Sequence, residues 1–132
     1  MSVEETMKKK ILLAEDDSSM RRFVEVILQK ADYTVVPAED GLAAMEIALG
    51  EMVDIVVADA MMPNLSGHDL CRILRQNPQT SKIPFIILSG FDQSDSSESK
   101  DCLADVYLQK GAALKDELLS TISQLLARQM AA

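Results

Sequence analysis

No stretch of this 132-residue chain approaches the ~20 consecutive apolar residues that a membrane-spanning helix requires. The lysines of the opening MSVEETMKKK are followed by only a four-residue apolar run, Ile11–Ala14, too short for the core of a secretion signal. Basic side chains are the minority, 13 against 21 acidic ones, for a net charge of −8, and they form no stripe. Direct nucleic-acid binding is therefore not expected, because it depends on clustered cations that neutralise phosphates. Cysteine occurs twice, at Cys71 and Cys102, without metal-type spacing. Both are expected to be reduced, mostly buried small apolar side chains. Histidine occurs once. His68 has no histidine or cysteine neighbour at ligand spacing and is expected at the surface, outside any catalytic role. No linker and no repeat at periods of 20 to 50 residues is visible. One domain over 1–132 is expected, with a core over about 8–128 and a tail over 1–7, in a reducing, cytoplasmic setting.

What the chain does have is enough apolar material, 48% of residues, to close a core without disulfides or metals. Ile11–Ala14 reads as a buried strand that ends in three acids. Ser18 and Ser19 are placed to cap a helix whose inward face is Met20, Phe23, Val24, Ile27 and Leu28. Tyr33–Val36 is a second strand, closed by Pro37. A helix from Asp40, with Leu42, Met45, Ala48 and Leu49 inward, stops at Gly50. Val53–Ala58 is the third strand, and Ser66–Arg75 a helix carrying Leu70, Ile73 and Leu74 and ended by Pro78. Pro84 opens a fourth strand, Phe85–Leu88, and Val106–Leu108 is a fifth. A last helix runs from about Leu114 to Arg128, with Leu118, Ile122, Leu125 and Leu126 on one side. From Gln93 to Asp101 there is almost nothing apolar, so the helix due there is expected to be short or mobile, anchored by Cys102, Leu103 and Val106 at most.

Strands of continuous apolar residues separated by helices predict a parallel sheet covered on both faces. Right-handed crossovers leave few topologies, and the expected one is an α/β, flavodoxin-like (βα)5 doubly wound sheet of five strands in the order 2-1-3-4-5. Its working site lies beyond the carboxyl ends of the strands, where the order reverses. Strand 1 ends in Glu15, Asp16 and Asp17; strand 3 ends in Asp59, in the stretch DIVVADAMMPN; strand 4 ends in Ser89; strand 5 ends in Gln109 and Lys110. An acid at the mouth of a buried strand needs a partner or a task, because an uncompensated buried charge is costly. Clustered carboxylates suit a hard divalent cation, and Mg²⁺ fits a few carboxylates together with water and a phosphate. A carboxylate can also attack phosphorus to give an acyl phosphate, whose transition-state charge a metal, an ammonium and a hydroxyl would stabilise. Asp17 reads as a turn acid only. Met61 and Met62 read as packing residues.

AEDD after strand 1, DAMMPNLSG after strand 3, SG after strand 4 and YLQKG on strand 5 together resemble the receiver domain of response regulators, the CheY-like family, over roughly residues 8–128. The resemblance implies that Asp59 is the phosphoacceptor and that Asp16 and Asp59 bind Mg²⁺ through their side chains. It further implies that Glu15 binds the metal through water and Met61 through its backbone carbonyl. It makes Ser89 the site hydroxyl, Lys110 the site lysine and Tyr107 the aromatic switch position. For Ser89 a helix N-cap role can coexist with this, and Tyr107 can equally be half-buried sheet packing. The implied function is two-component signalling. A histidine kinase or phosphotransfer protein donates the phosphoryl group, and a downstream protein reads the result on the face of the fourth helix, fifth strand and last helix. The chain would then be no enzyme in the usual sense, but a phosphoacceptor that assists its own phosphoryl transfer and dephosphorylation. The alternative is a phosphorylation-independent adaptor with a receiver fold, whose expected mark is loss of site residues; none is lost. An aspartyl phosphatase would carry a second acid two residues after the nucleophile, where this chain has Met61. Three departures from the family pattern are present: the acidic pair is Glu15-Asp16 where Asp-Asp is commoner, an ordinary variation; Gly111 follows the lysine where proline is usual; and CLADV replaces the usual glycine- and alanine-rich turn before strand 5.

Overall fold

The computed structural model describes residues 8–90 and 103–131. Cys102 falls outside these residues, as does the helix expected over Gln93–Asp101. The described elements are β1 (Lys10–Ala14), α1 (Ser18–Lys30), β2 (Thr34–Ala38), α2 (Gly41–Gly50), β3 (Ile55–Asp59), α3 (Gly67–Gln76), β4 (Phe85–Ser89), β5 (Val106–Gln109) and α4 (Leu114–Ala131). All strand pairs are parallel, in the order β2-β1-β3-β4-β5, as the pattern of apolar runs predicts.

Strand alternation divides the core in two. Leu12, Ala14, Val56, Ala58, Phe85 and Ile87 point to one face, where α2 and α3 cover them with Ala44, Ala48, Leu70 and Leu74. Ile11, Leu13, Ile55, Val57, Ile86 and Leu88 point to the other, under Val24 and Leu28 of α1 and Leu118 and Ile122 of α4. β1, β3 and β4 are therefore buried on both sides, which is why they read as unbroken apolar runs. Each fully buried Leu or Ile contributes about 1.5–3 kcal/mol, so these three strands form a stiff platform for whatever sits at their ends. Among the described residues, no helix is long and apolar enough to cross a membrane.

Four local expectations are corrected. Pro37 does not close β2; the strand runs on to Ala38, with Pro37 opposite Leu13. β2 is an edge strand, and there a missing N–H on the open side breaks no ladder bond. The cap of α1 is Asp17, whose carboxylate accepts from the Met20 N–H, and not Ser18 or Ser19. In α1, Phe23 is half exposed rather than inward. In α2 the inward residues are Gly41, Ala44 and Ala48, while Leu42 and Leu49 face out. A helix that lies close to its neighbours must present small side chains to them. Here a Cβ at Gly41 would collide with the Leu65 carbonyl.

Arg75, near the end of α3, holds the lower part of the β4–β5 region. Its guanidinium donates to the carbonyls of Ile83 (2.6 Å), Ser81 (3.1 Å) and Leu103 (3.1 Å) and lies 2.9 Å from Asp105 Oδ2. Asp105 Oδ2 in turn accepts from the Phe85 N–H at 2.7 Å. Leu103, at the start of this join, adopts a left-handed φ of 63°.

Candidate functional site

Backbone bonds that continue the ladders beyond the strand ends set the site. The Glu15 N–H donates to Ala38 O (3.0 Å), the Ala60 N–H to Leu88 O (2.8 Å) and the Lys110 N–H to Ser89 O (2.8 Å). Each fixes the direction in which the adjoining side chain leaves its strand. Asp59, Ser89, Glu15 and Lys110 are thereby brought to one end of the sheet.

Asp59 is 6% exposed. Its Oδ2 lies 3.0 Å from Lys110 Nζ, and its Oδ1 accepts from the Met61 N–H at 3.3 Å. Glu15 is 1% exposed, and its Oε1 accepts from the Asp17 N–H at 3.2 Å. Glu15 Oε2 stands 3.1 Å from the same Lys110 Nζ, close enough to pair as a charge but without the angle of a hydrogen bond. Among the described residues it is the one buried side-chain oxygen or nitrogen without a hydrogen-bond partner. Asp16 is exposed and completes a cluster in which oxygen atoms of Glu15, Asp16 and Asp59 all lie within 4.8 Å of one another.

Three carboxylates thus face one ammonium. Burial, and then the neighbouring Asp59 carboxylate, push the Glu15 carboxyl up to about 7, against the opposing pull of Lys110. For Lys110, burial disfavours the charged form, but the carboxylates of Asp59 and Glu15 outweigh it and hold the pKa above its ordinary value. Hard oxygen donors and crowded negative charge, with one buried Glu15 oxygen lacking a hydrogen-bond partner, fit a divalent cation.

The loop after β3 shows why the sequence MPNLSG follows the acid. Asn64 takes a left-handed φ of 71°, which Asn tolerates better than most residues, and the chain turns back there. Ser66 then caps α3 by accepting from the Asp69 N–H at 3.1 Å. The Gly67 N–H donates to Ala60 O at 3.1 Å, and a Cβ on Gly67 would strike the Asp59 carbonyl. Only glycine lets α3 begin this close to the acid.

Some side chains depart from expectation. His68, expected at the surface, is 6% exposed and stacks on Tyr107, with ring centroids 6.3 Å apart. The first turn of α3 is tucked against β3 by Gly67, and that draws the next residue inward. Met61 is 62% exposed and packs little, whereas Met62 joins the core beside α2 and α3. Tyr107 is 39% exposed on the edge strand β5. Cys71 is buried in α3, as expected. Arg21, which no sequence signal singled out, donates to Glu15 O at 2.7 Å and braces the β1–α1 turn. At Gly111 nothing lies near the place a Cβ would occupy, so sterics do not demand glycine there.

The response regulator receiver domain family matches residues 11–123. Response regulator ArlR of Staphylococcus saprophyticus is 38% identical over 120 residues, which cover 91% of this chain and 53% of that protein. The chain spans about half the length of the curated relatives it matches. The receiver domain of Francisella response regulator 1452 is 32% identical, with a TM-score of 0.83 over 92% of this chain and 99% of that one. Response regulator TrrA of Thermotoga maritima, in complex with Mg²⁺-BeF, is 27% identical, with a TM-score of 0.80 over 89% of this chain and 98% of that one. The sheet order, the cluster of acids at its carboxyl end and the family match across most of its length agree: the chain belongs to the response regulator receiver domains.

Proposed function

We propose that Asp59 accepts a phosphoryl group from a phosphohistidine of a histidine kinase or phosphotransfer protein. A carboxylate oxygen of Asp59 bonds to phosphorus as the donor's P–N bond breaks, and the departing imidazole takes up a proton. Asp16 and Asp59 would hold Mg²⁺ directly, Glu15 through water and Met61 through its carbonyl. The metal supplies positive charge to the phosphoryl oxygens. Lys110 adds an ammonium that already stands 3.0 Å from Asp59 Oδ2, so little reorganisation is needed as charge develops. Ser89, at the end of the strand between Asp59 and Lys110, offers a hydroxyl donor to the same group. The same residues serve dephosphorylation, with water in place of the donor.

Phosphorylation replaces one charge on Asp59 by about −2 and adds strong acceptor oxygens. Lys110 and Ser89 turn toward them, and the ends of β4 and β5 follow. Tyr107 lies on β5 at the outer edge of this change. A downstream protein then reads the surface of β5 and α4. The observation that carries the reading is the convergence of the Asp59, Asp16 and Glu15 carboxylates within 4.8 Å of one another, with Lys110 ion-paired to Asp59 and Glu15. A phosphorylation-independent adaptor would have no need of this costly grouping of charge.

The test is labelling by acetyl phosphate in Mg²⁺. Wild-type protein should carry acid-labile phosphate, and Asp59→Asn should carry none while keeping its fold. Equal labelling of the two proteins would refute the assignment.

A further inference from the structure

His68 is the only histidine of the chain, and it lies 6% exposed in the first turn of α3. Its backbone is tied to the site: the adjoining Gly67 bonds Ala60 O and lies against the Asp59 carbonyl too closely for any side chain. The start of α3 therefore moves with the end of β3. On its other side the imidazole meets Tyr107, with centroids 6.3 Å apart and planes 27° from parallel. Tyr107 pairs in register with Ile87, so it faces the α2–α3 side of the sheet, yet 39% of it remains exposed. The orientation of a half-exposed ring on an edge strand is set by the side chains packed against it. A buried planar partner at this distance favours the rotamer that stacks, since offset aromatic pairs gain beyond the area they bury.

We propose that His68 is a positioning residue for Tyr107. By stacking, it ties the orientation of the β5 ring to the backbone of Asp59, and so sets how strongly phosphorylation is felt on the β5 surface. This rests on the reading of Asp59 as phosphoacceptor. Were His68 only core filling, an aliphatic side chain of similar size would serve as well. What the proposal requires is a flat ring.

The chain has two tyrosines, Tyr33 and Tyr107, and no tryptophan. In Tyr33→Phe, tyrosine emission therefore reports Tyr107 alone. Mg²⁺ and beryllofluoride, a phosphoryl mimic, are titrated into Tyr33→Phe and into the same protein carrying His68→Leu or His68→Phe. Binding is followed separately by ¹⁹F NMR and by the rise in Tm, both of which Asp59→Asn should remove. The expected result is a Tyr107 response that falls about twofold or more in His68→Leu and returns in His68→Phe, with bound ¹⁹F signal in all three. Should His68→Leu be unfolded at the assay temperature, His68→Gln, also without a ring, takes its place. An unchanged Tyr107 response in the ringless variant, or a Phe variant that behaves like it, overturns the proposal while leaving Asp59 in its role. Absence of any Asp59-dependent beryllofluoride binding overturns the phosphoacceptor reading, and this proposal with it.

Discussion

Lys110 Nζ lies 3.0 Å from Asp59 Oδ2, reaching across from β5 to β3 over the end of the intervening strand β4. The same ammonium stands 3.1 Å from Glu15 Oε2, so one cation separates two buried carboxylates. Lys110→Met should leave them to repel each other. Removing one partner from a buried pair costs about 3–5 kcal/mol, and partial exposure of the lysine brings the expected loss nearer to 2 kcal/mol at pH 8. At pH 5 the loss should shrink, because Glu15 can take up a proton. Urea denaturation in a chelator at the two pH values measures it, and an equal loss at both would contradict the proposed geometry.

Glu15 carries the pH dependence of the site. Its carboxyl is raised from 4.5 to about 7, chiefly by burial and then by Asp59. The folded chain thus holds a proton that the unfolded chain releases near 4.5. The stabilisation from this group is complete below pH 4.5 and is lost as pH rises through 7. Its size is on the order of 3 kcal/mol. Mg²⁺ must displace that proton, so its affinity should rise up to about pH 7 and level off above it. Glu15→Gln should flatten both curves. Denaturation in a chelator and calorimetric Mg²⁺ titration from pH 5 to 8 decide it, and a wild-type profile in Glu15→Gln would be fatal.

Met61 sits two residues after Asp59, with its N–H on Asp59 Oδ1 and its side chain 62% exposed at the mouth of the site. A thioether is a poor partner for water, whereas an amide can orient one for attack on the acyl phosphate. Phosphorylated Met61→Asn should lose phosphate several-fold faster than wild type, by roughly 1 kcal/mol of barrier. Decay of ³²P-labelled protein is the measurement. An equal or slower decay would mean that position 61 does not govern access of water.

Arg75 makes three bonds to carbonyls and one ion pair to Asp105, all around the join between α3, β4 and β5. Arg75→Ala would leave Ile83 O and Asp105 without this partner. A loss of about 2–3 kcal/mol is expected, typical of charge-assisted bonds in a partly buried setting. Asp105→Asn should cost less, because an amide oxygen can still accept from the Phe85 N–H. Urea midpoints at pH 7 rank the two variants, and a neutral Arg75→Ala would show that the clamp is incidental.

The apolar four-residue runs and the helical faces made the parallel sheet legible, because burial on both sides of a parallel strand leaves a mark in every residue of that strand; its order followed from the few topologies that right-handed crossovers allow. The acids at the ends of β1 and β3 were legible for the same reason: a charge directly after an unbroken apolar run lies at a strand's exit. Which of two adjacent acids is buried was not legible. Glu15 is enclosed and Asp16 exposed because the β1–α1 turn is pinned by Arg21 and capped by Asp17, contacts that no local pattern encodes.

Apolar content alone likewise misplaced Leu42, Leu49 and Phe23, and the lack of a ligand-spaced neighbour misplaced His68 at the surface. The inward face of α2 is made of alanines because the helix lies close to its neighbours, and closeness is a property of the packed molecule. His68 is buried because Gly67 lets α3 start against Asp59, and its partner Tyr107 comes from another strand. The sequence by itself determined the elements, their order and the residue types at the strand ends, since periodicity and apolarity are local. Only the tertiary structure decided which carboxylate is desolvated, where its pKa lies and which rings touch, since desolvation and charge sum over every group that folding brings near.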